Sequence, residues 1–329
     1  MVPEISVILP NFNHSEFLRQ RIETVLHQDF DNFELIILDD CSIDNSRDII
    51  EEYRNHQKIS HIIYNDFNSG STFKQWHRGI KLSRGRYIWF AESDDFSEVS
   101  FLSTLFKILE ADKNLAIAFC QSKIVDEKNN SSGLYQYKVN RLRWEKSFKN
   151  FGKEECRKSF LFENSIPNAS AALINLQVLK KINTFPSNFI LNGDWFLWIN
   201  LLMHGDLYYF NGPLNNYRNH GNTVRNTNRP IGKDLEEKAK IVDYLLINLK
   251  LSTFIKAKLL HEIIYKWQWE KKAIKKENKD EILEVLSKYR TYVVVLNAFA
   301  LLKIAKMKSR MLIGRILKFV KGDKYNSKL

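Results

Sequence analysis

The sequence predicts an α/β protein: a mostly parallel sheet flanked by helices, followed by an all-helical extension. Two observations predict the sheet. Over the first third of the chain, short β-branched runs alternate with helical stretches of about a dozen residues, the pattern of βαβ units. Amide and acidic residues then collect just past the ends of these runs, where open parallel sheets bind ligands. A third observation predicts the extension: after about Ile231 the chain reads as entirely helical and is rich in Lys.

The elements follow in order. Ile5–Leu9 is β-branched and apolar, as a buried parallel strand should be. Ser15 is the expected N-cap of a helix over Glu16–Gln28, with Phe17, Ile22, Val25 and Leu26 near one face. Phe33–Leu38 reads as the second strand, the cap-type residues of Asp44–Tyr53 start a second helix, and Ile59–Tyr64 is the third strand. A turn at Asn68–Gly70 leads to a helix over Thr72–Leu82, and Gly85 suits a left-handed helix end. Tyr87–Phe90 is the fourth strand, Val99–Ala111 a helix and Ala116–Gln121 the fifth strand. From Asp126 to Phe151 the pattern lapses. It resumes with a helix near Glu154–Phe162, a small-residue strand at Ala169–Ile174, a helix at Asp194–Met203, and two short strands, Leu207–Phe210 and Leu214–Tyr217.

Composition narrows the function classes. The chain has 329 residues, 44% hydrophobic and 27% charged, which suits a globular core. Its formal charge is +12, which favours anionic partners. The excess Lys lies mostly in the helical tail and is not gathered on a recognition element, so nucleic acid is not an expected partner. Cys41, Cys120 and Cys156 are scattered and odd in number, with neither a zinc pattern nor a disulfide framework, which points to a reducing compartment. The N-terminus reads as a strand and not as a signal peptide. The most apolar stretch, Tyr292–Lys308, is interrupted by Asn297, Lys303 and Lys306 and is no membrane span.

Chemistry concentrates in "YIWFAESDDFSE", Tyr87–Glu98, where Glu92, Asp94 and Asp95 follow a buried strand. Crowded carboxylates repel one another unless a cation sits among them. A helix N-cap accounts for one of them. A divalent cation with hard oxygen ligands, Mn²⁺ or Mg²⁺, accounts for the set.

With these residues in view, the run from Val7 to Ser46, "VILPNFNHSEFLRQRIETVLHQDFDNFELIILDDCSIDNS", together with "GRYIWFAESDD", resembles the family 2 nucleotide-sugar glycosyltransferases of the GT-A fold, a Rossmann-like sheet. That family shows a strand ending in P-x-Y/F-N, a D-D-x-S after the second strand and a D-x-D or S-D-D after the fourth, and all three stand here in order. The resemblance implies roles. The Pro10, Asn11, Phe12 and Asn13 segment, Asp40, Lys74 and Asp94 would bind the nucleotide sugar. Pro10 and Phe12 would line the base pocket, and Asp40 would accept from a uracil or thymine N3–H. Asp39 would brace its loop. Asp95 would bind the metal directly. Glu92 departs from the usual Asp and is expected in the outer shell. In "NGDWFLWINLL", Asn192–Leu202, Asp194 matches the family's catalytic base, although an N-cap is the plain alternative. In "NYRNHGNTVR", Asn216–Arg225, His220 would ligate the metal or contact the diphosphate, and Arg218 and Arg225 would pair with phosphate.

The implied activity is inverting transfer of a sugar from a nucleoside-diphosphate donor, UDP or dTDP preferred, to a glycan or lipid-linked glycan of a cell-surface polysaccharide of the O-antigen or capsule type. A nucleotidyltransferase or a sugar-nucleotide-binding protein is the alternative. The expected organisation is a catalytic domain over 1–230, with a nucleotide half (1–122) and an acceptor half (123–230), and a basic helical region over 231–329. The tail segment Met307–Tyr325 has the pattern of an interfacial amphipathic helix, and packing on the catalytic domain or on a second copy remains the alternative. The expected location is cytoplasmic, at the inner face of the membrane.

Overall fold

A computed structural model describes residues 2–138, 141–221, 232–289 and residue 292. The chain divides into two compact units, Met1–Glu237 and Lys238–Leu329.

In the first unit the strands are β1 (Ile5–Asn11), β2 (Phe33–Asp39), β3 (Ile59–Tyr64), β4 (Tyr87–Phe90), β5 (Phe96–Ser97), β6 (Leu115–Val125), β7 (Ser131–Leu134), β8 (Phe148–Asn150), β9 (Ala172–Asn175) and β10 (Asp206–Arg218). The main helices are α1 (Ser15–Leu26), α2 (Ser46–Glu52), α3 (Thr72–Leu82), α4 (Phe101–Ala111), α5 (Gly152–Glu155), α6 (Leu176–Leu179) and α7 (Gly193–Leu202). They flank one mixed sheet of order β3-β2-β1-β4-β9-β6-β10-β5. The ladders β3-β2-β1-β4 are parallel, as the alternation of strand and helix requires. Antiparallel β9 then separates β4 from β6.

Register decides where the site lies. Pro10 pairs with Leu38, Asn11 with Asp39, and Asp39 with Tyr64. The loops after β1 and β2 therefore open at one sheet edge, and β4, parallel to β1, delivers Glu92–Asp95 to that edge. Beneath it, Val7, Leu9, Leu35, Ile37, Trp89, Phe101 and Leu105 are buried in one apolar cluster.

Several expectations are corrected. Ser15 does not cap α1. The helix begins at Ser15, and the Ser15 amide donates to Asp44 Oδ2 (2.8 Å) from the neighbouring loop. Gly85 is not left-handed. A Cβ there would collide with the backbone of Ile5 and Ser6, so close approach to β1 is what requires glycine. The two strands expected after Leu207 are one, β10. The Gly212-Pro213 pair looks like a turn, but the register shifts flanking Pro213 absorb it within the strand. The helix expected at Glu154–Phe162 is α5 followed by one π turn, Cys156–Phe160, and Ala169–Ala171 is a 3₁₀ turn ahead of β9.

The described part of the second unit is helical: the rest of α8 (Lys233–Asn248), then α9 (Thr253–Glu270) and α10 (Lys276–Lys288). Asp243 of α8 accepts from Lys288 (3.0 Å) and from Tyr289 (2.8 Å). Arg225 and the Met307–Tyr325 segment lie outside the described residues.

Candidate active site

The first cluster forms at the end of β2. Buried Asp39 accepts from Asn11 Nδ2 (2.9 Å) and the Ser42 amide (3.0 Å). Asn13 sits at φ 55°, its amide donating to Ser42 Oγ and its Oδ1 accepting from the Ile43 amide. Asn11, Asn13 and Asp39 thus lock the two loops together. Pro10 is buried within β1, while Phe12 stands 42% exposed at the rim. Asp40 is held by Asn65, by Gln75 Nε2 (2.8 Å) and by the amide (2.9 Å) and hydroxyl (2.7 Å) of Ser69. Three of these donors meet Oδ1 and one meets Oδ2, which leaves acceptor capacity on Oδ2. Lys74 is exposed, and its Nζ donates to the Ser69 carbonyl (2.8 Å), fastening the residue that grips Asp40.

The second cluster lies past β4. Asp94 Oδ2 accepts from His220 Nε2 (3.0 Å), and the His220 ring meets that of His14 edge-on at 5.6 Å. One ligand atom each from His14, Asp94 and His220 fall within 4.8 Å of one another. Burial opposes ionisation of Asp94, but the His220 hydrogen bond and the fields of both histidines hold its pKa below the usual value. The bond to Asp94 raises His220 against its burial. Burial lowers His14, which keeps it neutral and able to ligate. One carboxylate and two imidazoles form a donor set that fits a divalent transition ion with positions left for other ligands.

Asp95 is engaged elsewhere. Its Oδ1 accepts from the Arg218 amide (2.9 Å), and its Oδ2 from Asn168 Nδ2. It is 2% exposed, and burial followed by repulsion from Asp94 raises it to about 7. It is not among the three residues whose ligand atoms fall together. Glu92 accepts from Trp76 Nε1 (2.7 Å) and Thr72 Oγ1 (3.3 Å), and burial pushes it up to about 8. Arg218 is also committed. Its guanidinium donates to the carbonyls of Asp94 (2.7 Å) and Asp126 (2.8 Å) and to Gln20 (2.8 Å), so it fastens the site and is not presented to phosphate.

The third group surrounds Asp194 in the first turn of α7. Its Oδ2 accepts from Asn164 Nδ2 (2.7 Å) and its Oδ1 from the Trp195 amide (2.8 Å). Asn164 and Asn168, four residues apart on one loop, therefore hold Asp194 and Asp95 respectively. Helix α3 ties the rest together: Gln75 reaches Asp40, Thr72 and Trp76 reach Glu92, and a Cβ on Gly193 would strike the Phe73 ring. The structure thus joins Asp94 directly with His220, and links Asp40 and Asp194 to them through α3 and the Asn164–Asn168 loop.

Sequence reasoning missed His14, Asn164, Asn168 and Arg21. His14 adjoins Asn13 in a segment already singled out, and its position beside that segment was the available signal. Arg21 gave none, because arginines are almost never fully buried. It is 0% exposed, and no nitrogen of its guanidinium has a hydrogen-bond partner among the described residues. It lies over the Trp89 ring at 4.6 Å. Burial lowers it to about 10, against the fields of Asp95, Asp94 and Glu92.

The model of the family described as glycosyl transferase family 2 matches residues 6–182. The chain is 36% identical over 93 residues to the Bacillus subtilis protein TuaG, named for teichuronic acid biosynthesis; the match covers 28% of this chain and 36% of TuaG. It is 30% identical over 114 residues to the Streptococcus pneumoniae glycosyltransferase GlyG, covering 34% of this chain and 38% of GlyG. The matched region is thus little more than a third of each relative. Among solved structures, Staphylococcus aureus TarS 1–349 with UDP-GlcNAc superposes with a TM-score of 0.66 at 18% identity, over 88% of this chain and 81% of that one. A mannosyltransferase from Pyrobaculum calidifontis with GDP-Man and Mn²⁺ superposes with a TM-score of 0.54 at 12% identity, over 92% and 81%. These likenesses show the fold.

Proposed function

The chain belongs to glycosyl transferase family 2, and from that premise we propose that it is an inverting, metal-assisted transferase. It moves a sugar from a uridine or thymidine diphosphate donor to a glycan or lipid-linked glycan of a cell-surface polysaccharide. The observation that carries this reading is the His14, Asp94 and His220 cluster at the sheet edge that also holds Asp40.

Each residue has a task. Asp40, kept in place by Ser69 and Gln75, accepts from the N3–H of the pyrimidine, and Phe12 offers a ring face at the rim. His14, Asp94 and His220 would hold a divalent cation, Mn²⁺ in preference to Mg²⁺ because two of the three donors are imidazoles, and the ion would supply Lewis-acid stabilisation of the departing diphosphate's charge. Asp194 takes the proton of the acceptor hydroxyl as that oxygen bonds to the anomeric carbon. The carbon–oxygen bond to phosphate breaks in the same step, and its electron pair leaves with the diphosphate. A single displacement inverts the anomeric centre. That TarS is described with UDP-GlcNAc and the mannosyltransferase with Mn²⁺ supports the donor class and the ion.

The test is calorimetry with UDP, dTDP and GDP in the presence of Mn²⁺, followed by turnover of the matching sugar donors. Uridine or thymidine binding should exceed guanosine binding. Asp194→Ala should retain donor binding and lose at least about a hundredfold in transfer. Near-normal transfer by that variant ends the base assignment, and Mn²⁺-independent binding of nucleotide ends the metal assignment.

A further inference from the structure

The second unit presents a surface that the proposed chemistry does not use. On α9 the apolar residues are sorted by type. Leu259, Leu260, Ile263 and Ile264 are buried. The aromatic residues Phe254, Tyr265 and Trp269 face outward, 76%, 55% and 74% exposed. With His261 they fall at i, i+7, i+11 and i+15, which places all four rings on one face of the helix. The Tyr265 ring lies 6.2 Å from both His261 and Trp269, so three of them form a continuous row. At 1.5 Å per residue the row runs about 22 Å.

Leaving large rings in water forfeits about 1.5–3 kcal/mol per side chain relative to burying them. Scattered exposed apolar residues are ordinary, but an aligned row marks an interaction surface. The row runs into a basic turn. Lys271, Lys272, Lys275 and Lys276, four lysines in six residues, are all exposed. Glu262 and Glu270 flank the row, yet from Lys238 to Tyr289 twelve Lys stand against seven Asp and Glu. Tyr, Trp and His rings with polar edges, an apolar Phe and adjoining lysines match the layered chemistry of an anionic bilayer surface. Among the described residues no helix is long and apolar enough to cross a membrane, so such a helix would lie on the surface.

We propose that the outward aromatic face of α9, Phe254, His261, Tyr265 and Trp269, together with the Lys271–Lys276 turn, docks this protein on an anionic lipid bilayer. The contact belongs to α9 and does not depend on the Met307–Tyr325 tail. It also stands apart from the transfer chemistry, so either can fail alone.

The experiment uses the full chain and phosphatidylcholine vesicles with or without phosphatidylglycerol. The protein should co-sediment with the anionic vesicles, and added salt should release it. Phe254→Ser, Tyr265→Ser and Trp269→Ser combined should weaken binding at least about tenfold. The far-ultraviolet circular dichroism and Mn²⁺–UDP binding should be unchanged. Replacing the four lysines by Ser should flatten the salt dependence. Undiminished binding by the aromatic variant overturns the proposal, as does equal binding to neutral vesicles. A wild-type dimer that the aromatic variant dissociates, with no vesicle binding, reassigns the face to self-association and overturns it equally.

Discussion

At Asp94 the carboxylate faces His14 and His220, while one residue later Asp95 turns inward to the Arg218 amide and Asn168. Two adjacent acids thus divide the work: one remains available to a ligand, and the other ties β10 and the Asn168 loop to the motif. The sequence shows both as identical letters after a strand, and their orientation depends on partners far along the chain. The letters alone therefore do not tell which of the two would meet a metal. Calorimetric titration with Mn²⁺ distinguishes the two. Asp94→Ala should lose more affinity than Asp95→Ala, by at least about tenfold, or ~1.4 kcal/mol. Asp95→Ala should mainly destabilise the fold, by about 2 kcal/mol, because the buried Arg218 amide loses its acceptor. The opposite ranking would return the ion to Asp95.

At the scale of elements, the start of α7 is held by a residue that the sequence did not single out. The Glu237 carboxylate accepts three consecutive amides, Ile190 (2.6 Å), Leu191 (3.0 Å) and Asn192 (2.7 Å), and Asn192 Nδ2 besides. It is 1% exposed, and burial raises its pKa despite those donors. Asn192 is the N-cap residue of α7, but its side chain does not cap the helix, because it is drawn to Glu237 and Asp234. Glu237→Ala should cost about 3 kcal/mol by orphaning these amides. The sign of the pH effect follows from the raised pKa. The unfolded chain gives up this proton near 4.5, before the folded chain does. Wild-type stability relative to Glu237→Gln should therefore fall as pH rises through 4.5, then level off above the folded value. Melting curves of both proteins across acidic to neutral pH check this, and a difference that is flat or rises with pH refutes it. Strands and helices of the first half were legible because period and punctuation agree there. Gly212-Pro213 and Gly85 misled because tertiary context, a bulged ladder in one case and a close strand in the other, decided their conformation.

For the molecule as a whole, what sequence made legible was the sheet and the order of its motifs; what it could not show was how distant segments close on the site. The Asn164–Asn168 loop, α3 and the start of α8 each act through a side chain whose partner is remote in sequence. Helix α8 matters most for where the first unit ends, since its first five residues include Glu237 and the buried Leu235. A chain cut after Pro230 lacks both. A chain cut after Asn248 keeps the whole of α8. We therefore expect the longer fragment to melt cooperatively and to bind UDP with Mn²⁺ about as the full chain does. The shorter one should lose several kcal/mol, of the order of a domain's whole margin of stability, and fail to bind. Differential scanning calorimetry with nucleotide titration decides between them. Equal behaviour of the two fragments would show that the fastening by α8 is dispensable and that the site is complete without it.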